Sequence, residues 1–327
     1  MDSLKKGFLN MITVKVLFII IIFSFLSSCK EKPTVTTIEV TNIAATSALS
    51  GGNVTSDGGA AVTLRGVCWN TTPDPTIDNL KTNDGTGIGS FGSNLTGLSA
   101  NTTYYVKAYA TNRKGPSYGE QVSFKTYLYT FADIDGNSYN AMQIGTQVWM
   151  TENLKTTRYN DGSVIPLITD SSVWNNLTTP GYCWYNNDEA THKATYGALY
   201  NWHTISAANL CPTGWHVPSE AEWTALVDYL GGGGYAGAKL KETGNTHWIS
   251  HNEGATNESR FTGLPGGTRS SEPLASYFNI GSKGYWWSTT LYAGNYALFW
   301  TLEDINISVI RARGHKNTGM SVRCLKD

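Results

Sequence analysis

The chain has 327 residues, with 24 Lys and Arg set against 25 Asp and Glu and only 15% charged residues. No run of Lys or Arg occurs in its folded part, so the electrostatic footprint of a nucleic-acid binder is missing and that class of partner is excluded. The 34 Gly, 11 Trp and 18 Tyr favour loop-rich, strand-rich modules over helix bundles.

At the start, Lys5, Lys6 and Lys15 precede an apolar run over residues 16–26 that stops at Ser27, Ser28 and Cys29, the layout of a signal peptide. The run is about half of the roughly 20 apolar residues that a membrane span needs. Met11 as an alternative start leaves Lys15 in place, and the reading is unchanged. Leu26, Ser27, Ser28 and Cys29 resemble a bacterial lipobox. That resemblance implies cleavage after residue 28 and acylation of the Cys29 thiol, with palmitate-type chains making the membrane a lasting partner. Lys30, Glu31 and Lys32 resemble the signals that send lipoproteins of the Bacteroidetes type to the cell outer membrane, facing the exterior. Residues 29–36 are polar, contain Pro33 and read as a tether.

About 300 residues remain, enough for two cores. Residues 37–126 read as an all-β sandwich, because short alternating runs over 48–54, 63–69, 104–110 and 121–126 recur between Gly, Asn and Asp clusters. The string Leu95, Gly97, Leu98, Asn101, Thr102, Tyr104, Val106, Ala108, Tyr109, Ala110, Asn112 and Gly115 resembles the second half of a fibronectin type III domain. Tyr104 would be its tyrosine corner, Cys68 and Trp69 core residues, and the domain a spacer.

Near residues 127–130 the texture changes, and a second module rich in paired aromatics runs over residues 130–327. Residues 131–149 predict a hairpin turning at Asp135 and Gly136. Asp133 and Asp135 lack the further acidic ligands of a calcium loop and are read as turn residues. At residues 219–230 the residues dictate a helix: Ser219 caps, Glu222 completes a capping box, and Trp223, Leu226, Val227 and Leu230 form the apolar face. Glu220 and Glu222 are then dipole partners in its first turn.

The ordered strings QIGTQVWMTENL (143–154), YNDG (159–162), YCWYNND (182–188), YGALYNW (196–202), CPTGWHVPSEAEW (211–223), LPGGTR (264–269), YWWST (285–289) and SVRCLKD (321–327) resemble the Fibrobacter succinogenes major paralogous domain. The resemblance implies lipoproteins and surface proteins without an established general activity. The same strings are similar to the C-type-lectin-like group that includes formylglycine-generating enzymes, which implies a loop-rich α+β fold.

Those enzymes use a cysteine pair near the C-terminus, and residues 309–320 contain none. His192, His203, His216, His247, His251 and His315 are scattered, so no metal, cofactor or catalytic set is expected and the chain is not read as an enzyme. Cys183, Cys211 and Cys324 in the second module allow one disulfide. The lectin-like resemblance favours the long-range pair Cys211 with Cys324, although spacing leaves Cys183 open as a partner.

Binding remains, carried by aromatics. Trp184, Tyr185, Asn187, Trp286 and Trp287 are the candidate ligand residues. Adjacent Trp286 and Trp287 on a regular strand place one indole on each face, so one should point outward. The expected function is a surface-displayed lipoprotein whose non-catalytic head binds glycan, extracellular matrix or a surface protein. The alternatives are a structural subunit of a surface assembly and a degenerate enzyme of the formylglycine-generating type.

Overall fold

The computed structural model describes residues 30–206, 209–249, 251–271 and 277–327. The expected signal peptide and the lipidation of Cys29 lie outside the described residues. Among the described residues, no helix is long and apolar enough to cross a membrane. The chain divides into two compact units, meeting in sequence near Lys125 and Thr126.

The first unit contains β1 (Thr34–Thr41), β2 (Ser47–Ser56), β3 (Leu64–Asn70), β4 (Leu80–Lys81), β5 (Gly89–Thr96), β6 (Thr103–Asn112), β7 (Gly115–Tyr118) and β8 (Val122–Lys125). One sheet runs β1-β2-β5 and the other β4-β3-β6-β7, with β8 also on β6, which is the strand arrangement expected of a fibronectin type III-like sandwich. In β5 the alternation sends Phe91, Ser93 and Leu95 inward and Ser90, Gly92 and Asn94 outward, so the sequence pattern itself sets the pairing register. Gly52 marks a close approach of the two sheets: a Cβ there would lie 2.6 Å from the Ala108 Cβ. Cys68 and Trp69 are buried as expected, and Tyr104 is buried at the start of β6 with its ring stacked on Phe124. The expected tether over residues 29–36 is shorter than its composition suggests. Val35 is buried in β1, and the Glu31 backbone is bonded to Gly58 and to the Asn112 amide, so the fold begins before residue 37.

The second unit opens with β9 (Tyr129–Ala132), β10 (Ser138–Ile144) and β11 (Gln147–Met150). A loop-rich middle follows, with α1 (Ser171–Asn175), β12 (Tyr182–Cys183), α2 (Glu189–Tyr196), β13 (Leu199–Tyr200) and α3 (Trp202–Ile205). Then come β14 (Trp215–His216), α4 (Glu220–Tyr229), α5 (Ala236–Leu240), β15 (Gly266–Arg269) and β16 (Tyr277–Ile280). The last elements are β17 (Lys283–Ala293), β18 (Tyr296–Glu303), β19 (Val309–His315) and β20 (Leu325–Lys326). One sheet has the order β14-β20-β11-β10-β9 and a second the order β17-β18-β19.

Local chemistry explains these elements. Asp133 accepts from the Asp135 and Asn137 amides and closes the β9–β10 turn, while Gly145 at φ 62° opens the two-residue β10–β11 loop. The capping box of α4 is complete, with Ser219 and Glu222 exchanging bonds, and Trp223, Leu226 and Val227 are buried as the helical spacing requires. Strand β20 runs between β14 and β11, and the disulfide Cys211–Cys324 fastens the segment leading into it, across 113 residues of sequence. Cys183 is buried and free.

Two aromatic cores flank the β17-β18-β19 sheet. Trp287 and Phe299 belong to one, with Tyr200, Trp202 and Trp215. Trp286 and Trp300 belong to the other, with Trp149, Trp223 and Phe261. The sheet is therefore a partition, and both of its faces are covered at this level.

Candidate functional site

That partition overturns the expectation that Trp286 or Trp287 turns outward. The two indoles do point to opposite faces, but each face meets a core, so they are 1% and 0% exposed. Their Nε1 groups are spent internally, on the Asn153 side-chain oxygen at 2.8 Å and the Tyr200 carbonyl at 2.9 Å. Trp184 and Tyr185 are also buried, so neither offers a stacking face to a ligand. Lys193 sits over the Trp184 ring and Tyr277 packs on Tyr185. Asn187 is exposed, yet its side chain is engaged by the Tyr277 hydroxyl at 2.7 Å and the Thr169 carbonyl at 3.1 Å. The five residues do not converge on one surface, because the aromatic ones are the packing mass of a unit short of long helices.

The acidic and histidine residues resolve into structural knots. Asp135 accepts from Thr156 and from both the amide and hydroxyl of Thr157, and pairs with Arg158 at 3.1 Å. Burial pushes its carboxyl up, but these donors outweigh it and hold the group below the usual carboxylate range. His216 is only half-buried, with Nδ1 2.6 Å from Asp327 and Nε2 2.9 Å from Glu222. Burial pulls the imidazole down, and the two carboxylates overcome that and leave its pKa above the ordinary histidine value. Both ring nitrogens are occupied, so His216 ties β14 and the residue after β20 to α4 and has no free position for acid or base work. His247 is held by both oxygens of Glu242. Among the described residues, no three His, Cys, Asp or Glu side chains are grouped as a metal site would need.

Exposed aromatics do occur, elsewhere. The hairpin joining β17 to β18 is exposed from Leu291 to Tyr296, with Tyr292 at 52% and Tyr296 at 46%. Beside it runs β19, the edge strand, whose register places Arg313 opposite Leu298 and His315 opposite Tyr296. The Arg313 guanidinium lies 4.8 Å from the Tyr292 ring centre, and the His315 ring meets Tyr296 edge-on at 5.7 Å. Arg311 pairs with Glu220 at 3.1 Å.

Two depressions flank this ridge. One, of about 220 Å³, is lined by Tyr292, Leu298, Arg311, Ala312 and Arg313. The other, of about 230 Å³, takes in Asn295, His203, His315, Lys316 and Asn317. Burial pulls the His203 pKa down, a hydrogen bond to the Asn317 side chain opposes that, and the nearby charges of Lys316 and His315 add to the depression. A third groove, of about 460 Å³, lies over Asn137, Lys155, Glu189 and Lys193. There Lys193 is paired with Glu189 at 2.7 Å, which leaves Lys155 as the groove's unpaired lysine among its lining residues, against Arg313 and Lys316 at the ridge.

The ridge residues are absent from the set expected on sequence. Their signal is a period of two: Arg311, Arg313 and His315 alternate with Ile310, Ala312 and Gly314, so the three basic side chains share one face of a strand.

No curated protein matches the chain. Among solved structures, the sensor domain of the anti-sigma factor RsgI4 of Pseudobacteroides cellulosolvens is 18% identical, over 29% of this chain and 95% of that one, with a TM-score of 0.23. The human fibronectin type III domain of fibronectin type III domain containing protein 3 is 21% identical, over 31% and 91%, with a TM-score of 0.22. The twitchin kinase region of C. elegans is 12% identical, over 61% and 33%, with a TM-score of 0.23. At these scores none of the three bears on fold or function. The Fibrobacter succinogenes major domain matches residues 142–326, from within β10 to β20 and across both aromatic cores. That is more than half of the 327 residues, and the chain belongs to the Fibrobacter succinogenes major domain family.

Proposed function

We propose that this protein is a surface-displayed lipoprotein whose second unit is a non-catalytic binding head, with the β17–β18 hairpin and β19 as its contact surface and a glycan as its ligand. The observation that carries the reading is the pair Tyr292 and Tyr296, both exposed in one hairpin, with Arg313 over the first ring and His315 edge-on to the second. Tyrosine rings suit sugar faces because they combine a flat apolar body with a polar tip. The depressions beside them are below the roughly 300–1,000 Å³ of pockets that enclose a small molecule, which suits contact with an extended chain better than capture of a metabolite. A C-type-lectin-like architecture for this unit is supported by its small sheets, long loops and long-range disulfide.

On this reading Cys29 carries the lipid, the sandwich serves as spacer, and the protein is held on the exterior of the cell outer membrane. Metabolic labelling with a palmitate analogue should mark the parent chain and leave a Cys29→Ala chain unlabelled; equal labelling of both sinks the anchor. For the head, a glycan array probed with the purified chain should give reproducible hits. Replacing both tyrosines, Tyr292→Ala with Tyr296→Ala, should weaken the best hit by about tenfold or more, since stacked aromatics at a contact contribute about 1–3 kcal/mol each. The thermal midpoint should barely move, because both side chains are largely exposed. Binding that survives the double substitution places the contact surface elsewhere.

A further inference from the structure

The charge of the ridge is one-sided. Arg311, Arg313, His315 and Lys316 follow one another along the end of β19 and just beyond it, with His203 across the second depression. Glu220 engages Arg311, but among the described residues neither Arg313 nor Lys316 has a carboxylate partner. Their charges rest on rings instead: Arg313 on Tyr292 at 4.8 Å and Lys316 on Trp202 at 5.1 Å. A ring anchors the stem and part of the head of such a side chain while leaving hydrogen-bond donors free. In a chain with net charge −1 and sparse charge throughout, this crowding of cations around one exposed hairpin is local rather than a property of the whole surface.

The two depressions share this geometry. Tyr292 and Asn295 from one hairpin line one each, and β19 and the residues after it contribute basic side chains to both, Arg311 and Arg313 to the first and His315 and Lys316 to the second. Tyr296 belongs to the same hairpin, and its ring meets His315 of the second depression edge-on. The ridge therefore carries basic side chains and exposed tyrosine rings together. Asn175, Asn176 and Asn317 supply amides around the second depression, where Asn317 is held by the Asn175 carbonyl at 2.8 Å.

We infer that the ligand of this surface is an acidic polysaccharide, an extended sugar chain with carboxylate or sulfate groups. One anionic group would sit between Arg311 and Arg313, a sugar ring on the tyrosines, and a second anionic group by His315 and Lys316. This rests on the ridge being the contact surface and adds the chemical class of what it holds. Arginine reads a planar carboxylate or a sulfate through paired N–H donors, and Lys316 acts as a point charge. A single exposed aliphatic residue at the tip, Leu291, is little for insertion into a lipid surface.

The test uses the purified full chain and measures binding to polygalacturonate, to heparin as the sulfated counterpart, to methyl-esterified polygalacturonate as the uncharged one, and to vesicles containing phosphatidylglycerol. Polygalacturonate or heparin should bind with affinity that falls as salt is raised, and the methyl ester about tenfold or more weaker than its parent polymer. The double variant Arg313→Gln with Lys316→Gln should lose about tenfold against the acidic polymers, at an unchanged thermal midpoint, and should hold the methyl ester as the parent does. Equal binding of ester and acid, or an unaffected double variant, overturns the acidic class. If Tyr292→Ala still weakens the complex in that case, the ridge stands as contact surface and only the ligand class falls. Binding to the vesicles alone, or to none of the probes, overturns the inference outright.

Discussion

Removing the Cys211–Cys324 disulfide should lower the thermal midpoint of the second unit by roughly 10–20 °C. The bond closes a loop spanning 113 residues, and in the chain-entropy account a loop of that size is worth about 4–5 kcal/mol. For a unit of this size each kcal/mol moves the midpoint by about 2–4 °C. What the bond holds in place also matters. Cys324 leads into β20, which has only a few residue pairs with β11 and β14 to keep it between them in the five-stranded sheet. Its neighbour Arg323 organises the second core, so a β20 that detaches withdraws a core residue as well as a strand. Both cysteines are almost completely buried, which makes the double variant Cys211→Ala with Cys324→Ala the cleaner comparison, because a reductant reaches the bond mainly through opening. Scanning calorimetry of parent and variant gives the shift, and a difference under about 3 °C would show that packing alone secures β20. Cys183→Ala is the matched control. Cys183 is buried and free, so this variant should keep the full response to loss of the 211–324 bond.

The parts of this fold that were legible in the sequence are those fixed by local chemistry. Helix α4 is set by Ser219, Glu222 and a four-residue apolar face, and the β9–β10 turn by the Asp133 side chain, each within a few residues of chain. The sandwich strands are legible because alternation has meaning when only one face of a sheet is buried, as in β5. The same rule fails at Trp286 and Trp287. Alternation dictates that the two indoles diverge, and nothing local says that a core waits on each side. The ridge escaped for the complementary reason. Tryptophan draws attention as the largest stacking surface, yet the same size drives it inward, and the exposed rings are smaller ones, with Tyr292 and Tyr296 in a hairpin tip among them.

Where the familiar strings lead is best seen at Arg323, and replacing it should be the most damaging single change to the second unit. Its guanidinium is 1% exposed and lies 4.0 Å from the centre of the Phe261 ring. It donates to the Phe261 carbonyl, to the Thr262 carbonyl and, at 2.9 Å, to the side-chain oxygen of Asn153. That same oxygen accepts the Trp286 indole at 2.8 Å. Asn153 comes from QIGTQVWMTENL, Trp286 from YWWST and Arg323 from SVRCLKD, so three of the strings that carry the family resemblance meet in one buried knot. Their shared role is to hold the fold. The ridge residues Tyr292, Tyr296, Arg311 and Arg313 lie outside those strings, where ligand preference can vary without disturbing the core. Burial pulls the Arg323 pKa down to about 9, the Glu152 carboxylate and Tyr127 oppose the shift, and the group keeps its charge at neutral pH. A buried ion pair can often be exchanged for apolar residues at little loss, since both charges leave together. Here the acceptors are backbone carbonyls and stay behind. Arg323→Met keeps much of the volume and leaves the Phe261 and Thr262 carbonyls without this donor, so it should destabilise the unit by about 3–5 kcal/mol. Arg323→Lys keeps the charge but cannot span acceptors on two sides, and should fall between parent and Met variant. Urea unfolding of the three chains measures the series. A Met variant as stable as the parent would mean that water or a shifted loop at residues 261–262 satisfies those carbonyls, and the knot would lose its place as the organiser of the second core.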